Sequence, residues 1–251
     1  MRRATGAVER KAHSTAEDVE TPTILHAWGR GFATLGSGMD EDDFAQHGAV
    51  LGSSLRIRSP DLCPELRLWL LGDDVDLNKR VAELLSIERA PYWAFCWGSG
   101  QALARYVLDH PELVEDKRVA DFGAGCGVAA IAALVAGARE AWAVDIDPHA
   151  LRACRANAQL NRVQLGTADR LPPECDVLLA SDVLYELGNR DLLLDTIARG
   201  ATVVVADPLR EGNPRLELPE RARYQVKTLP DVDYPVASAV IYHLERGQSL
   251  P

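Results

Sequence analysis

The chain is expected to fold as an α/β protein, a mostly parallel sheet flanked by helices and finished by a closing antiparallel strand. Three observations predict this. Apolar strand-like runs alternate with helical patterns from Arg118 to about Ala206. A glycine turn, Asp121-Phe-Gly-Ala-Gly-Cys-Gly127, joins the first of those runs to the helix after it. Two segments of alternating β-formers, Arg223 to Thr228 and Ala237 to Leu244, then look like an antiparallel pair.

The 251 residues allow one large α/β domain, or one domain with an extra segment, and 47% hydrophobic content suits a sizeable core. Three regions are expected: residues 1–45 as a flexible or loosely packed segment, 46–117 as a strand and helix layer with an aromatic-glycine lid, and 118–251 as the ligand-binding core. The start is basic (Arg2, Arg3, Arg10, Lys11), and Glu17, Asp18 and Glu20 then reverse the sign. Only the first sixteen residues fit a mitochondrial presequence, so a cytoplasmic protein is expected, with the mitochondrial matrix as the alternative. The five cysteines are scattered without metal spacing and read as reduced thiols. A net charge of −10 argues against nonspecific nucleic-acid binding. It is compatible with a basic protein partner, or with solubility alone. No membrane partner is expected, since no apolar run is long enough to span a bilayer. A monomer is expected, and isolated His110, His149 and His243 suggest no metal.

Taken in order, acidic Met39 to Phe44 could cap a short helix, and Leu66 to Leu71 reads as a strand. Asp76 to Glu88 carries Leu77, Val81, Leu84 and Leu85 at helical spacing, and Pro91 ends that helix. Tyr92-Trp-Ala-Phe-Cys-Trp-Gly-Ser-Gly-Gln101 packs four aromatics into six residues before two glycines. It reads either as a core plug or as a lid whose Trp97 and Gly-Ser-Gly backbone face a ligand. An aromatic face there would attract a cation. Ala102 to Leu108 is helical.

Val119, Ala120 and Phe122 suit a buried parallel strand. Gly123, Gly125 and Gly127 let the backbone turn and approach a ligand closely. Cys126 reads as a small packing residue. Val128 to Gly137 is a small-residue helix, and Trp142 to Val144 a second strand ending in Asp145. Asp145 lies twenty residues beyond Gly125, as a ribose contact requires. Asp121 would repel a pyrophosphate but suits a cationic ligand. A cationic nucleoside held this way is S-adenosylmethionine, and a dinucleotide is the weaker reading.

Asp147 and Pro148 start a helix that runs to about Asn161. Val163 to Leu165 is a weak third strand, with Asp169 beyond it as an adenine contact. Cys175 to Ala180 is a buried strand ending in Ser181-Asp182-Val183-Leu184-Tyr185-Glu186. Asn189 to Ala198 is a helix closed by Gly200, and Thr202 to Ala206 a strand ending in Asp207-Pro208. Asp121, Asp145, Asp182 and Asp207 thus gather at strand tips, where α/β sheets bind ligands. Clustered like charges cost energy, so stability alone explains them poorly.

The glycine turn with Asp145 resembles the class I, Rossmann-like seven-stranded S-adenosylmethionine-dependent methyltransferases. The Tyr92 to Asp109 segment, Asp145-Ile-Asp-Pro, Asp182-Val-Leu-Tyr185 and Val205-Ala-Asp-Pro are similar to the electron transfer flavoprotein β-subunit lysine methyltransferase group. The likeness covers about Leu66 to Leu244. It implies that Asp121, Gly123 and Gly125 shape the methionine end of the cofactor site, that Asp145 holds the ribose, and that Trp97 and Gly100 line the pocket. Ser181 is counted with these cofactor residues. Asp182 and Tyr185 would face the amine to be methylated. Asp182 could instead cap the following helix. The expected activity is N-methylation of a protein lysine, with the electron transfer flavoprotein β-subunit as the favoured target. A small-molecule amine methyltransferase and a non-catalytic S-adenosylmethionine-binding assembly factor remain as alternatives.

Overall fold

The computed structural model describes residues 54–72, 91–184, 187–209, 218–231 and 237–244. The helix expected over Asp76 to Glu88, the acidic Met39 to Phe44 stretch and the start of the chain lie outside the described residues, as do Tyr185 and Glu186. A short antiparallel ribbon comes first, β1 (Leu55–Arg58) against β2 (Leu68–Leu71). The aromatic segment then makes one 3-10 turn, Tyr92–Ala94, before α1 (Gly98–Asp109). The remaining elements are β3 (Arg118–Phe122), α2 (Val128–Val135), β4 (Glu140–Val144), α3 (Pro148–Leu160), β5 (Gly166–Ala168), β6 (Val177–Ser181), α4 (Leu187–Ala198), β7 (Thr202–Asp207), β8 (Ala222–Val226) and β9 (Ala237–Leu244).

Among the described residues, seven strands form one sheet in the order β5-β4-β3-β6-β7-β9-β8. The five on the β5 side, through β7, pair in parallel; β9 runs antiparallel to both β7 and β8. The period-two alternation of each strand divides the core. Val119, Val177, Leu179, Val204, Ala206 and Ile241 face one way, against Ala102, Leu103 and Val107 of α1 and Ala129 and Ala133 of α2. Ala120, Leu178, Ala180, Val203, Val205 and Tyr242 face the other way, against Leu193 and Ile197 of α4. Burying a leucine or valine at such a position stabilises the fold by about 1.5–3 kcal/mol. The β1–β2 ribbon and Trp93, Ala94 and Phe95 pack on Ala150, Ala153 and Ala156 of α3.

Helix ends follow local chemistry. Asp147 caps α3, its Oδ1 accepting from the His149 N–H at 2.9 Å, with Pro148 in the first turn. Gly200, at φ +100°, follows α4 as expected. The third strand is displaced from its expected place. Val163 donates its N–H to Ala158 O and closes α3, and Arg162 takes φ +57° there. Val163 and Leu165 therefore pack into the core beside Leu66 and Ile131, and the ladder begins one residue later, at Gly166. Gly166 suits this edge because a Cβ would stand 2.6 Å from the Trp142 ring.

Candidate active site

The carboxyl ends of β3, β4, β6 and β7 bring the four acids to one edge. The site is built from the glycine turn outward. Gly123, Gly125 and Gly127 take φ of +70°, +54° and +80°, a region that side chains disfavour. Gly123 and Ala124 donate their N–H groups to Val144 O, which fastens the turn to β4. In front of Gly125, among the described residues, nothing lies within 4 Å of where a Cβ would be. Behind Gly127 the Cys154 Sγ sits 3.0 Å from such a position, so α3 is packed against the back of the turn.

Asp121 is 2% exposed, and one oxygen accepts from the Ala130 N–H at 3.1 Å, an otherwise orphan amide of α2. Burial, with a smaller push from Asp145, raises its pKa from 3.8 to about 7 against that bond. Asp145 accepts from the Gly125 N–H with one oxygen and from the Asp147 N–H with the other, both at 2.9 Å. Its pKa is also raised, chiefly by burial. Asp207 is 2% exposed, and Oδ1 accepts from the Leu209 N–H at 2.8 Å. These backbone donors offset part of the cost of gathering the acids, a compensation the sequence did not reveal.

Asp182 follows the tip of β6 at φ +54°, its N–H donating to Ala206 O of β7. It stands five residues ahead of Leu187, the first described residue of α4. Gly100 brings α1 against the site: a Cβ there would lie 3.3 Å from Val128 Cγ1 and 3.6 Å from Ser181 Oγ. Trp97, half-buried, donates its Nε1–H to Tyr92 O at 3.0 Å, and its ring meets those of Tyr92 and Phe95 at centroid distances of 5.9 and 5.7 Å. Trp93, Ala94, Phe95 and Cys96 are buried and Tyr92 is exposed, so the aromatic segment is a core plug with an open rim. Asp169, expected to follow the third strand, does so directly after Ala168; its side chain is 73% exposed and lies near Arg170.

Sequence reasoning missed Asn157. It is fully buried in α3, donates Nδ2–H to Cys126 O at 2.8 Å and accepts from the Trp69 N–H at 2.6 Å. One amide thus ties the glycine turn to β2. The signal was an asparagine set among alanines on the inward face of a helix.

This strand order, with a glycine turn after the first parallel strand and an acid at the tip of the second, defines an S-adenosylmethionine-dependent methyltransferase of the seven-stranded class. The family model for Ribosomal protein L11 methyltransferase (PrmA) matches residues 93–190. Electron transfer flavoprotein beta subunit lysine methyltransferase of Danio rerio is 34% identical over 218 residues, covering 80% of this chain and 83% of the relative. The Xenopus laevis protein of that name is 39% identical over 163 residues, 61% of this chain and 66% of the relative. A Caenorhabditis elegans homolog is 30% identical over 196 residues, 68% and 79% of the two chains. The structure of an RNA methyltransferase from Salinibacter ruber in complex with S-adenosyl-L-homocysteine aligns with 59% of this chain and 94% of its own, at 16% identity and a TM-score of 0.41. The chain belongs to the electron transfer flavoprotein β-subunit lysine methyltransferase family.

Proposed function

We propose that this protein transfers methyl groups to lysine side chains of a protein substrate, the electron transfer flavoprotein β-subunit. The observation that carries this is the strand-tip edge itself, with half-buried Asp182 at the tip of β6 on the same edge as a cradle that suits a cationic nucleoside. The cradle fits on two counts: open space in front of Gly125, and buried Asp121 beside it as a carboxylate for a cationic group.

Asp121, Gly123 and Gly125 surround the methionine end of S-adenosylmethionine in this reading. Asp145 accepts from the ribose hydroxyls while its backbone donors hold it in place. Trp97, Gly100 and Ser181 close the side next to α1. S-adenosylmethionine supplies an electrophilic methyl carbon on a positively charged sulfur. The protein has to bring a neutral amine to it in line. A lysine with a pKa of about 10.4 arrives charged. Asp182 accepts a hydrogen bond from the ammonium and fixes its direction. Because a carboxylate favours the charged form, Asp182 orients the amine and does not remove its proton. The proton leaves to water, helped by desolvation against the aromatic rim of Trp97. Tyr185, three residues on, completes the acceptor side in the same reading.

The test is intact-mass analysis of purified electron transfer flavoprotein incubated with this protein and S-adenosylmethionine. Mass steps of one methyl group are expected, localised to lysine and at least about 100-fold slower with Asp182→Ala. Transfer to a small amine and none to protein would replace this reading with that of a metabolite enzyme.

A further inference from the structure

α3 buries Ala150, Ala153, Asn157 and Leu160 and leaves Arg152, Arg155 and Gln159 on its outer side. At about 100° per residue these three fall within about 60° of one another, a single stripe along the helix. Arg162 stands exposed just past the C-cap Asn161, its N–H donating to Gln159 O at 3.0 Å. Asn161 brings a fourth arginine to that end. It accepts from the Arg67 N–H at 2.9 Å and donates Nδ2–H to Arg67 O at 2.6 Å, and Arg67 is exposed. Arg152, Arg155, Arg162 and Arg67 thus share one flank about 15 Å long.

None of these four makes an ion pair among the described residues, whereas Arg105, Arg118, Arg139, Arg170, Arg199 and Arg223 each do. The acids nearest in sequence are already engaged: Asp147 caps α3, Asp169 lies beside Arg170, and Glu65 pairs with Arg105. Arg152 and Arg155 are three residues apart, neighbours on a helix surface, where like charges destabilise. Burial, and then Arg152, hold the Arg155 guanidinium below its ordinary value, and its Nη1–H donates to Thr167 Oγ1 of β5. A chain of net charge −10 has acids to spare for these arginines and does not place them here. The flank is complementary to an anion that the described residues do not supply.

The flank also adjoins the site. α3 starts at the cofactor edge, and Trp93 stacks on His149 in its first turn at a ring-centroid distance of 6.5 Å. Exposed Tyr92 therefore lies between the flank and Trp97. β4 and β6 are two places apart in the sheet, so the tip that leads into α3 and the tip that carries Asp182 are about 10 Å apart. A protein burying about 800 Å² on each side spans both. Arginine and tyrosine are residue types that carry binding energy at interfaces.

We propose that the arginine flank of α3 docks an acidic face of the protein substrate, with Tyr92 at its upper edge. This rests on the protein-substrate reading above. A nucleic acid fits less well, because the long-range field of a chain of charge −10 opposes a polyanion.

Steady-state methylation of purified electron transfer flavoprotein by the full chain, read by intact mass, tests this. Arg152→Glu with Arg162→Glu leaves the Arg155–Thr167 bond in place. It should raise KM for the protein substrate about tenfold or more, with kcat and S-adenosylmethionine affinity within about twofold of the parent. Lysine at 152, 155 and 162 should keep KM within about threefold, because the flank acts through its charge. Added salt should raise the parent's KM and affect the glutamate variant less. An unchanged KM in the glutamate variant would overturn the inference, as would a parent KM that ignores salt. So would a glutamate variant that loses binding to a short single-stranded RNA while keeping its KM for the protein, which would make the flank a nucleic-acid surface. Should the glutamate variant lose cofactor affinity as well, the salt response of the parent and the lysine variant decide. If the parent transfers nothing to the protein, the proposed function fails first and this docking surface falls with it.

Discussion

Asp121 shows what one residue does at this edge. Its pKa is raised to about 7, so the fold prefers its neutral form. That preference contributes fully below an unfolded value near 3.8, and it is lost as pH rises through about 7. Without cofactor, Asp121→Asn should therefore gain stability over the parent above pH 7, on the order of 1–4 kcal/mol, and show a flatter melting profile between pH 5 and 8. A cationic ligand reverses the preference by stabilising the carboxylate. S-adenosylmethionine should then bind more tightly at pH 8 than at pH 6 and release a proton near pH 7. Calorimetry in buffers of different ionisation enthalpy would read that release; the same heat in every buffer would refute it. The sequence made Asp121 and Asp145 legible because spacing from a glycine turn is a local property. Their backbone donors, Ala130, Gly125 and Asp147, were not legible, because those bonds exist only once the turn has closed.

At the scale of elements, the glycine turn is held from behind by α3. Gly127→Ala meets both a φ of +80° and the Cys154 Sγ, and should cost about 1–3 kcal/mol in denaturant unfolding. Asn157→Ala leaves Cys126 O and the Trp69 N–H without their buried partner and should cost about 2–4 kcal/mol, again read as a lower unfolding midpoint. Most element positions could be read from apolar periodicity. β5 could not, because Val163 and Leu165 are as apolar as a strand and yet serve the helix end and the core. The ribbon β1 was invisible for a related reason. Of its four residues Leu55 is buried, Arg56 and Ile57 are exposed and Arg58 is half-buried, so the strand shows no alternation.

For the whole molecule, the lower end of the sheet is pinned electrostatically. Arg118 donates to Asp176 and Glu174 across the β3 and β6 starts, and Asp176 is held down to about 2, chiefly by its hydrogen bonds from Arg118. That contribution is present above pH 3.8 and fades as pH falls through about 2. The pair is partly solvated, so Asp176→Asn should lower stability at pH 7 by no more than about 1 kcal/mol. A larger loss in denaturant unfolding would mean the network governs the sheet. The fold class was legible because alternating strands and helices leave few ways to connect. The final strand order was not, since nothing in Ala237 to Leu244 says that it enters between two earlier strands. That insertion has a consequence during synthesis. β8 reaches the sheet only through β9, so a nascent chain whose β9 is still inside the ribosome has β8 without its place. Until then Val203, Val204 and Val205 of β7 present an apolar, unpaired edge, and a translational pause there would expose the young protein to chaperones and to its neighbours.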